Sequence, residues 1–190
     1  MPLPPPVSRT ARHLRRVTYH GYERDDGLWD IEGELIDSKP VDTPILREPG
    51  TVRPAGAPIH LMRLRVTVDR QLTVHAIAAA MDAHPLHDCQ QALQAMQSMV
   101  GANMARGWRQ AIQHNLGGVA GCTHMRELLF NLATAAFQSI SSAFDAQGDA
   151  PPRHLGQCTG WAFDGRGVRE YYPQFHKKAL VRQPGSRGTQ

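Results

Sequence analysis

Residues 117–124, Gly-Gly-Val-Ala-Gly-Cys-Thr-His, set a thiol, a hydroxyl and an imidazole behind three glycines. The run predicts a glycine-rich loop that delivers Cys122 and His124 to the first turn of a long helix. The partial positive charge at a helix N-terminus favours a thiolate or another anion beside it. Free backbone N–H groups there could hold a carboxylate or a developing oxyanion. In this reading His124 is the general acid or base, Cys122 helps stabilise negative charge, and Gly121 and Thr123 contact the substrate. Each residue turns about 100° round a helix, so Cys122 and His124 need not share a face. No Lys-Ser/Thr follows the last glycine, which separates the loop from the phosphate-binding pattern. The plainer reading is a tight helix entry with Cys122 as a small buried residue and Thr123 as the cap.

A second group of candidates is acidic. Asp25, Asp26, Asp30, Glu32, Glu34 and Asp37 crowd one stretch of chain. Alternate positions on one strand face lie roughly 7 Å apart, a spacing compatible with paired acid/base work. Asp26 and Asp30 are expected to face the Cys-Thr-His loop, with His20 and Trp29 as a substrate-binding rim. The alternative is a solvated face on which Arg63 and Arg65 answer the carboxylates across the sheet.

The cysteines offer a different chemistry. Cys89, Cys122 and Cys158, joined by His84, His87 or His124, could satisfy a tetrahedral zinc ion or an iron–sulfur cluster. The set favoured is Cys89, Cys122, Cys158 and His124. Gaps of 33 and 36 residues mean that only folding could unite them. The leading expectation is no cofactor, with zinc or an iron–sulfur cluster as the alternative; no dinucleotide fingerprint is visible.

The elements that must position these groups change character midway. Val17, Tyr19 and Gly21 alternate with Thr18, His20 and Tyr22, a strand period. Asp25-Asp26-Gly27 marks a hairpin turn. The returning strand sets Trp29, Ile31, Gly33 and Leu35 against Asp30, Glu32 and Glu34. Five prolines over 40–58 predict a long irregular loop. A third strand at 60–69 points Met62, Leu64, Val66 and Val68 inward and Arg63, Arg65 and Thr67 outward; a fourth covers 72–77. A loop over 81–89 leads to a helix with Asp88 as N-cap and Leu93, Met96, Met99 and Val100 buried. A short helix spans 108–116. The longest runs from about Thr123 to Phe144, with Met125, Leu128, Leu129, Leu132, Ala136 and Ile140 along one side. A strand or turn around 157–163 and the aromatics Tyr171, Tyr172 and Phe175 follow. The expected fold is α+β: an antiparallel meander followed by three helices packed on one sheet face.

Size and charge bound the rest. The chain of 190 residues is 41% hydrophobic, enough for a folded core. The expected organisation is a Pro-rich leader over 1–12, one α+β domain over 13–176 and a basic flexible tail over 177–190. Residues 1–24 carry five arginines and one glutamate, and 176–190 carry four bases and no acid, so the intervening body is acidic. Nucleic-acid binders concentrate positive charge on a folded face, whereas here it sits in ends expected to be loose. No run of 18 apolar residues exists for a membrane span. The start lacks the pattern of a secretory signal, and three scattered cysteines suit a reducing cytoplasm. The partner expected is a small-molecule substrate, with neither nucleic acid nor membrane; a homo-oligomer remains open.

Four strings together resemble the bacterial domain-of-unknown-function family numbered 2889: Arg24-Asp-Asp-Gly-Leu-Trp-Asp-Ile-Glu-Gly33, Leu64-Arg-Val-Thr-Val-Asp69, Gly107-Trp-Arg109 and the run 117–124. The resemblance spans about residues 9–175. Family members share the strings found here at 26–30 and 121–124, with Met125 where leucine often follows. The resemblance implies a single bacterial domain and transfers no reaction. The side-chain inventory suits a small-molecule enzyme working without an organic cofactor. The reaction expected is acid/base lysis or isomerisation, in a sharper form carbon–carbon cleavage such as deformylation, of a small and plausibly aromatic bacterial metabolite. The competing expectation is a metal- or cluster-binding module built on the cysteine set.

Overall fold

The Asp-Gly turn and the two-residue alternation on either side of it determine the first half of the molecule. In the computed structural model, which describes residues 2–141 and 150–177, strand β1 (Leu14–Glu23) turns through Gly27 into β2 (Trp29–Ser38). Gly27 takes φ +82°, a conformation glycine adopts without steric cost. A small ribbon, β3 (Thr43–Pro44) paired with β4 (Val52–Arg53), lies within the proline-rich segment read as irregular. Strands β5 (Pro58–Val68) and β6 (Val74–Ala83) complete an antiparallel sheet ordered β1-β2-β5-β6.

The alternation decides which face is covered. Trp29, Ile31, Leu35, Met62, Leu64, Val66 and Val68 are all buried, each worth about 2 kcal/mol of apolar burial. On the other face Arg63 reaches Glu34 at 2.8 Å and Arg65 reaches Glu32 at 2.6 Å, the expected cross-strand answers. Arg63 also pairs with Asp82. Strand β6 continues to Ala83, past the loop expected from 81, because Met81 pairs with Met62 and is itself buried.

The helices confirm the α+β class, with several packed on the sheet. The first is broken: α1 (Ala92–Ala95) sits between 3₁₀ turns at His87–Gln91 and Met96–Met99. Asp88 is not an N-cap; it lies inside the first of these turns and accepts a hydrogen bond from Gln91 at 3.0 Å. Met96 and Met99 are buried as expected, but Val100 is exposed, because the chain turns extended there. Helix α2 (Trp108–Leu116) buries Trp108, Ile112 and Leu116. Helix α3 (Thr123–Ser141) buries Met125, Leu128, Leu129, Leu132, Ala136 and Ile140; Phe144 lies outside the described residues. Two long side chains fasten α3 by its carbonyls. Tyr19 of β1 donates to Leu128 O at 3.1 Å, and Trp108 donates to Leu129 O at 2.8 Å.

Residues 14–23, part of the basic end expected to be loose, are the edge strand itself. Of their two arginines, Arg15 spends its charge inside the fold, as the site below shows.

The chain divides into two compact units after Ile140, inside the span read as one domain. Within the described part of the second, a 3₁₀ turn (Thr159–Trp161) and helix α4 (Arg166–Tyr171) surround an aromatic cluster. His154 lies 4.7 Å from Trp161 and 5.4 Å from Tyr172 between ring centres. No strand forms at 157–163. The segment 178–190 of the expected tail lies outside the described residues.

Candidate functional site

The covered face of the sheet is apolar along most of its length, then ends on a polar rung. Residues in phase with the core positions pair straight across three strands: Arg15 of β1 opposite Asp37 of β2, and Asp37 opposite His60 of β5. Arg15 shares its phase with Val17 and Tyr19, Asp37 with Ile31 and Leu35, and His60 with Met62 and Leu64. On the edge strand Val17 stays exposed, but the alternation that buries Ile31, Leu35, Met62 and Leu64 buries a carboxylate as well.

Asp37 has a side chain only 3% exposed, so its charge must be compensated. Arg15 grips it as a fork, Nε to Oδ1 and Nη2 to Oδ2, each at 2.8 Å. His13 Nε2 lies 3.0 Å from Oδ1 and His60 Nδ1 lies 3.0 Å from Oδ2. Burial by itself would raise the carboxyl pKa, but the Arg15 fork and the His60 contact overcome it and hold Asp37 at about 2.

The fourth approach comes from α3. The loop 117–122 makes a sharp return, in which a Cβ on Gly121 would stand 2.7 Å from Leu116 O. Arg126 ties this return together, donating to Leu116 O at 2.9 Å and Gly118 O at 3.3 Å. Helix α3 then begins with Cys122 as its capping position: the Cys122 carbonyl accepts the first helical bond, from Arg126 N–H at 3.0 Å. Thr123 is thus the first helical residue and not the cap. His124 Nε2 comes to 3.6 Å from Asp37 Oδ2, its ring centre lies 4.0 Å from that of His60, and its Nδ1 lies 3.8 Å from Cys122 Sγ. Burial pushes both imidazoles below the ordinary histidine value; for His124 the neighbouring His60 and Arg15 add to the effect, and for His60 the contact with Asp37 works against it. Both are therefore bases in their neutral form near pH 7. His60 is 15% exposed and His124 24%, so His124 is the more open of these two imidazoles; His13 at 46% and Arg15 at 39% reach solvent at the sheet edge.

The expected site residues divide sharply. His124 comes to the rung with Cys122 beside it, whereas Gly121 shapes the return before them and Thr123 is exposed, accepting a hydrogen bond from Arg126 at 3.3 Å. Asp26 and Asp30 do not reach the rung: they stand at the turn end of β2. Asp30 is seven residues from Asp37, about 23 Å along a strand. There Arg24 binds Asp26 at 2.6 Å and Asp30 at 3.4 Å, and Thr67 donates to Asp30 at 2.6 Å. The pair closes the hairpin and forms no wall for His124. Trp29 points into the core and is 7% exposed. His20 lies on the other face of the sheet, where it lines a groove of about 410 Å³ with Thr18, Glu32, Glu34, Arg63 and Arg65. Three members of the rung, His13, Arg15 and His60, were not among the candidates. For Arg15 and His60 the signal is a polar residue standing on the apolar phase of a strand; His13 lies just before β1 and gives no such signal.

Ligand-capable atoms of Asp37, His60 and His124 all lie within 4.8 Å of one another, and that group contains no cysteine. Cys89 is half-buried in the turn His87–Gln91, Cys122 is half-buried beside His124, and Cys158 is exposed in the second unit. Among the described residues, no helix is long and apolar enough to cross a membrane.

The profile of the family described as "Protein of unknown function (DUF2889)" matches residues 13–138. The match begins at His13, spans every residue of the rung and covers about two thirds of the chain, a shorter reach than the 9–175 expected from the strings. No curated protein and no solved structure matches significantly.

Proposed function

From the premise that the chain belongs to the DUF2889 family, we propose that the Asp37 rung is the centre of a small-molecule enzyme working without an organic cofactor. The observation that carries the reading is the pair of closely packed, mutually tilted imidazoles held against one buried, arginine-clamped carboxylate. Their arrangement suits acid/base lysis or isomerisation. Asp37 orients His60 through Nδ1, which leaves Nε2 of that ring as the free lone pair. His124, at the open side, takes or returns the substrate proton. Cys122 and the first N–H groups of α3 meet developing negative charge.

Carbon–carbon cleavage is the sharper form. The base removes the proton of a hydroxyl group, the hydroxyl carbon becomes a carbonyl as its C–C bond breaks, and the released electron pair passes to the substrate's own acceptor. The protonated imidazole then gives its proton to the other carbon of the broken bond as the acceptor returns the electron pair. No oxidant is consumed, and deformylation of a hydroxymethyl group is one such case. The proposed substrate is a small bacterial metabolite, in the sharper form an aromatic one, and the proposed setting is the cytoplasm, with no role for nucleic acid or membrane.

The test uses the full-length protein and a bacterial small-molecule extract, followed by mass spectrometry. A compound consumed by the wild type and spared by His124→Gln and His60→Gln, both shown to be folded by circular dichroism, supports the reading. Equal consumption by the variants, or no compound consumed at all, overturns it.

A further inference from the structure

We propose that Asp37, His60 and His124 form a binding site for a borderline divalent transition-metal cation of the zinc class. The proposal shares its location with the proposed active centre but not its proton-transfer role. Three elements supply one ligand each: β2 the carboxylate, β5 one imidazole and the first turn of α3 the other. Ligand-capable atoms of all three lie within 4.8 Å of one another. The two contacts to Asp37 Oδ2, 3.0 Å from His60 Nδ1 and 3.6 Å from His124 Nε2, bracket the separation of about 3.3 Å between neighbouring ligands on a tetrahedron with bonds of about 2.0 Å.

The donor set points to the class of ion. Two borderline imidazoles with one hard carboxylate suit zinc and its transition-metal neighbours; magnesium and calcium prefer oxygen alone. Three protein ligands leave a fourth position open, the arrangement of catalytic zinc sites. The exposure of the ligands rises from 3% at Asp37 to 24% at His124, which puts that open position on the solvent side.

The surrounding groups act as outer support. Arg15 Nε and His13 Nε2 both hold Oδ1, so Oδ2 is presented towards the two imidazoles in a fixed orientation. Arg15 Nη2 also touches Oδ2, and its charge opposes a nearby cation. Seating the ion requires that contact to lengthen. It also requires the two rings, now 4.0 Å apart, to part by about 1 Å to reach tetrahedral angles. Both movements are small and both are observable.

The experiment is calorimetric titration of Zn²⁺ into full-length, chelator-treated protein, in the absence of substrate. Expected are one ion per chain, weakening by at least about a hundredfold in His60→Gln and in His124→Gln, and unchanged binding in His75→Gln, a histidine on β6 outside the site. Thermal melts without metal establish that each variant is folded. Absence of saturable Zn²⁺ binding, or binding by the His60 and His124 variants as tight as that of the wild type, overturns the proposal. So does loss of binding in Cys89→Ser or Cys158→Ser, which assigns the ion to the cysteines. Because the readout is binding without turnover, the metal site can fail while substrate consumption by the metal-free protein stands, and the converse also holds.

Discussion

The two ends of strand β2 carry the same chemistry in different surroundings. At the turn end, Asp26 and Asp30 are held by Arg24; at the far end, Asp37 is held by Arg15. Asp26 is 49% exposed, Asp30 19% and Asp37 3%. Water screens the first pair and shares its hydrogen bonds, so the cluster does little beyond closing a hairpin. At the second, water is nearly absent, and the carboxylate must find every partner inside the protein. It finds an arginine fork and three imidazoles. The comparison teaches that carboxylate density along the chain is a poor guide to a working site. Its phase relative to the core is a better one.

The largest expected effect of that difference is on stability. Asp37→Ala leaves Arg15 and the imidazoles without their shared acceptor and should cost about 3–5 kcal/mol in urea unfolding. Asp26→Ala should leave the urea midpoint almost unmoved. Equal losses at the two positions would break the comparison.

Acid should resolve it next. The folded-state pKa of Asp37, about 2, lies below its ordinary value of 3.8, so the unfolded chain takes up the proton first. The stability contributed by Asp37 is therefore complete above about pH 4 and is lost as the pH falls towards 2. The loss amounts to about 2 kcal/mol. Unfolding free energies of the wild type and Asp37→Asn should converge over that window, and parallel curves would show that the clamp contributes nothing.

Salt gives the smallest effect and the cleanest contrast. At 1 M NaCl the screening length is about 3 Å. Any small difference between the wild type and Asp26→Ala should vanish there, whereas the Asp37→Ala deficit should persist. A deficit at Asp37 that disappears in salt would place that carboxylate in water.

Much of the frame was legible from residue order. The Asp26-Gly27 turn, the inward row from Trp29 to Leu35 and the stripe from Met125 to Ile140 each rest on local periodicity, and each stands. The failures were also local in origin. Asp88 resembled a cap because of its type alone, and the loop expected from Met81 overlooked that alanines can carry a strand along a sheet edge. Of the site, Cys122 and His124 were legible from the glycines that precede them. His13, Arg15 and His60 were not, since Arg15 and His60 belong to strand pairings remote from the helix that brings His124, and His13 lies before the first strand.

What residue order alone determined is phase: which side of each strand and helix is apolar, and hence that Asp37 and His60 stand where core residues should. What only the tertiary structure decided is register and approach. Pairing Asp37 opposite both Arg15 and His60 depends on how three strands slide together, and a shift by one residue would turn each to the solvent face. The entry of α3 over that rung depends on the return through Gly121. Sequence separations of 22 to 87 residues were closed by the burial of the whole sheet face, an energy shared over dozens of side chains and visible in no single motif.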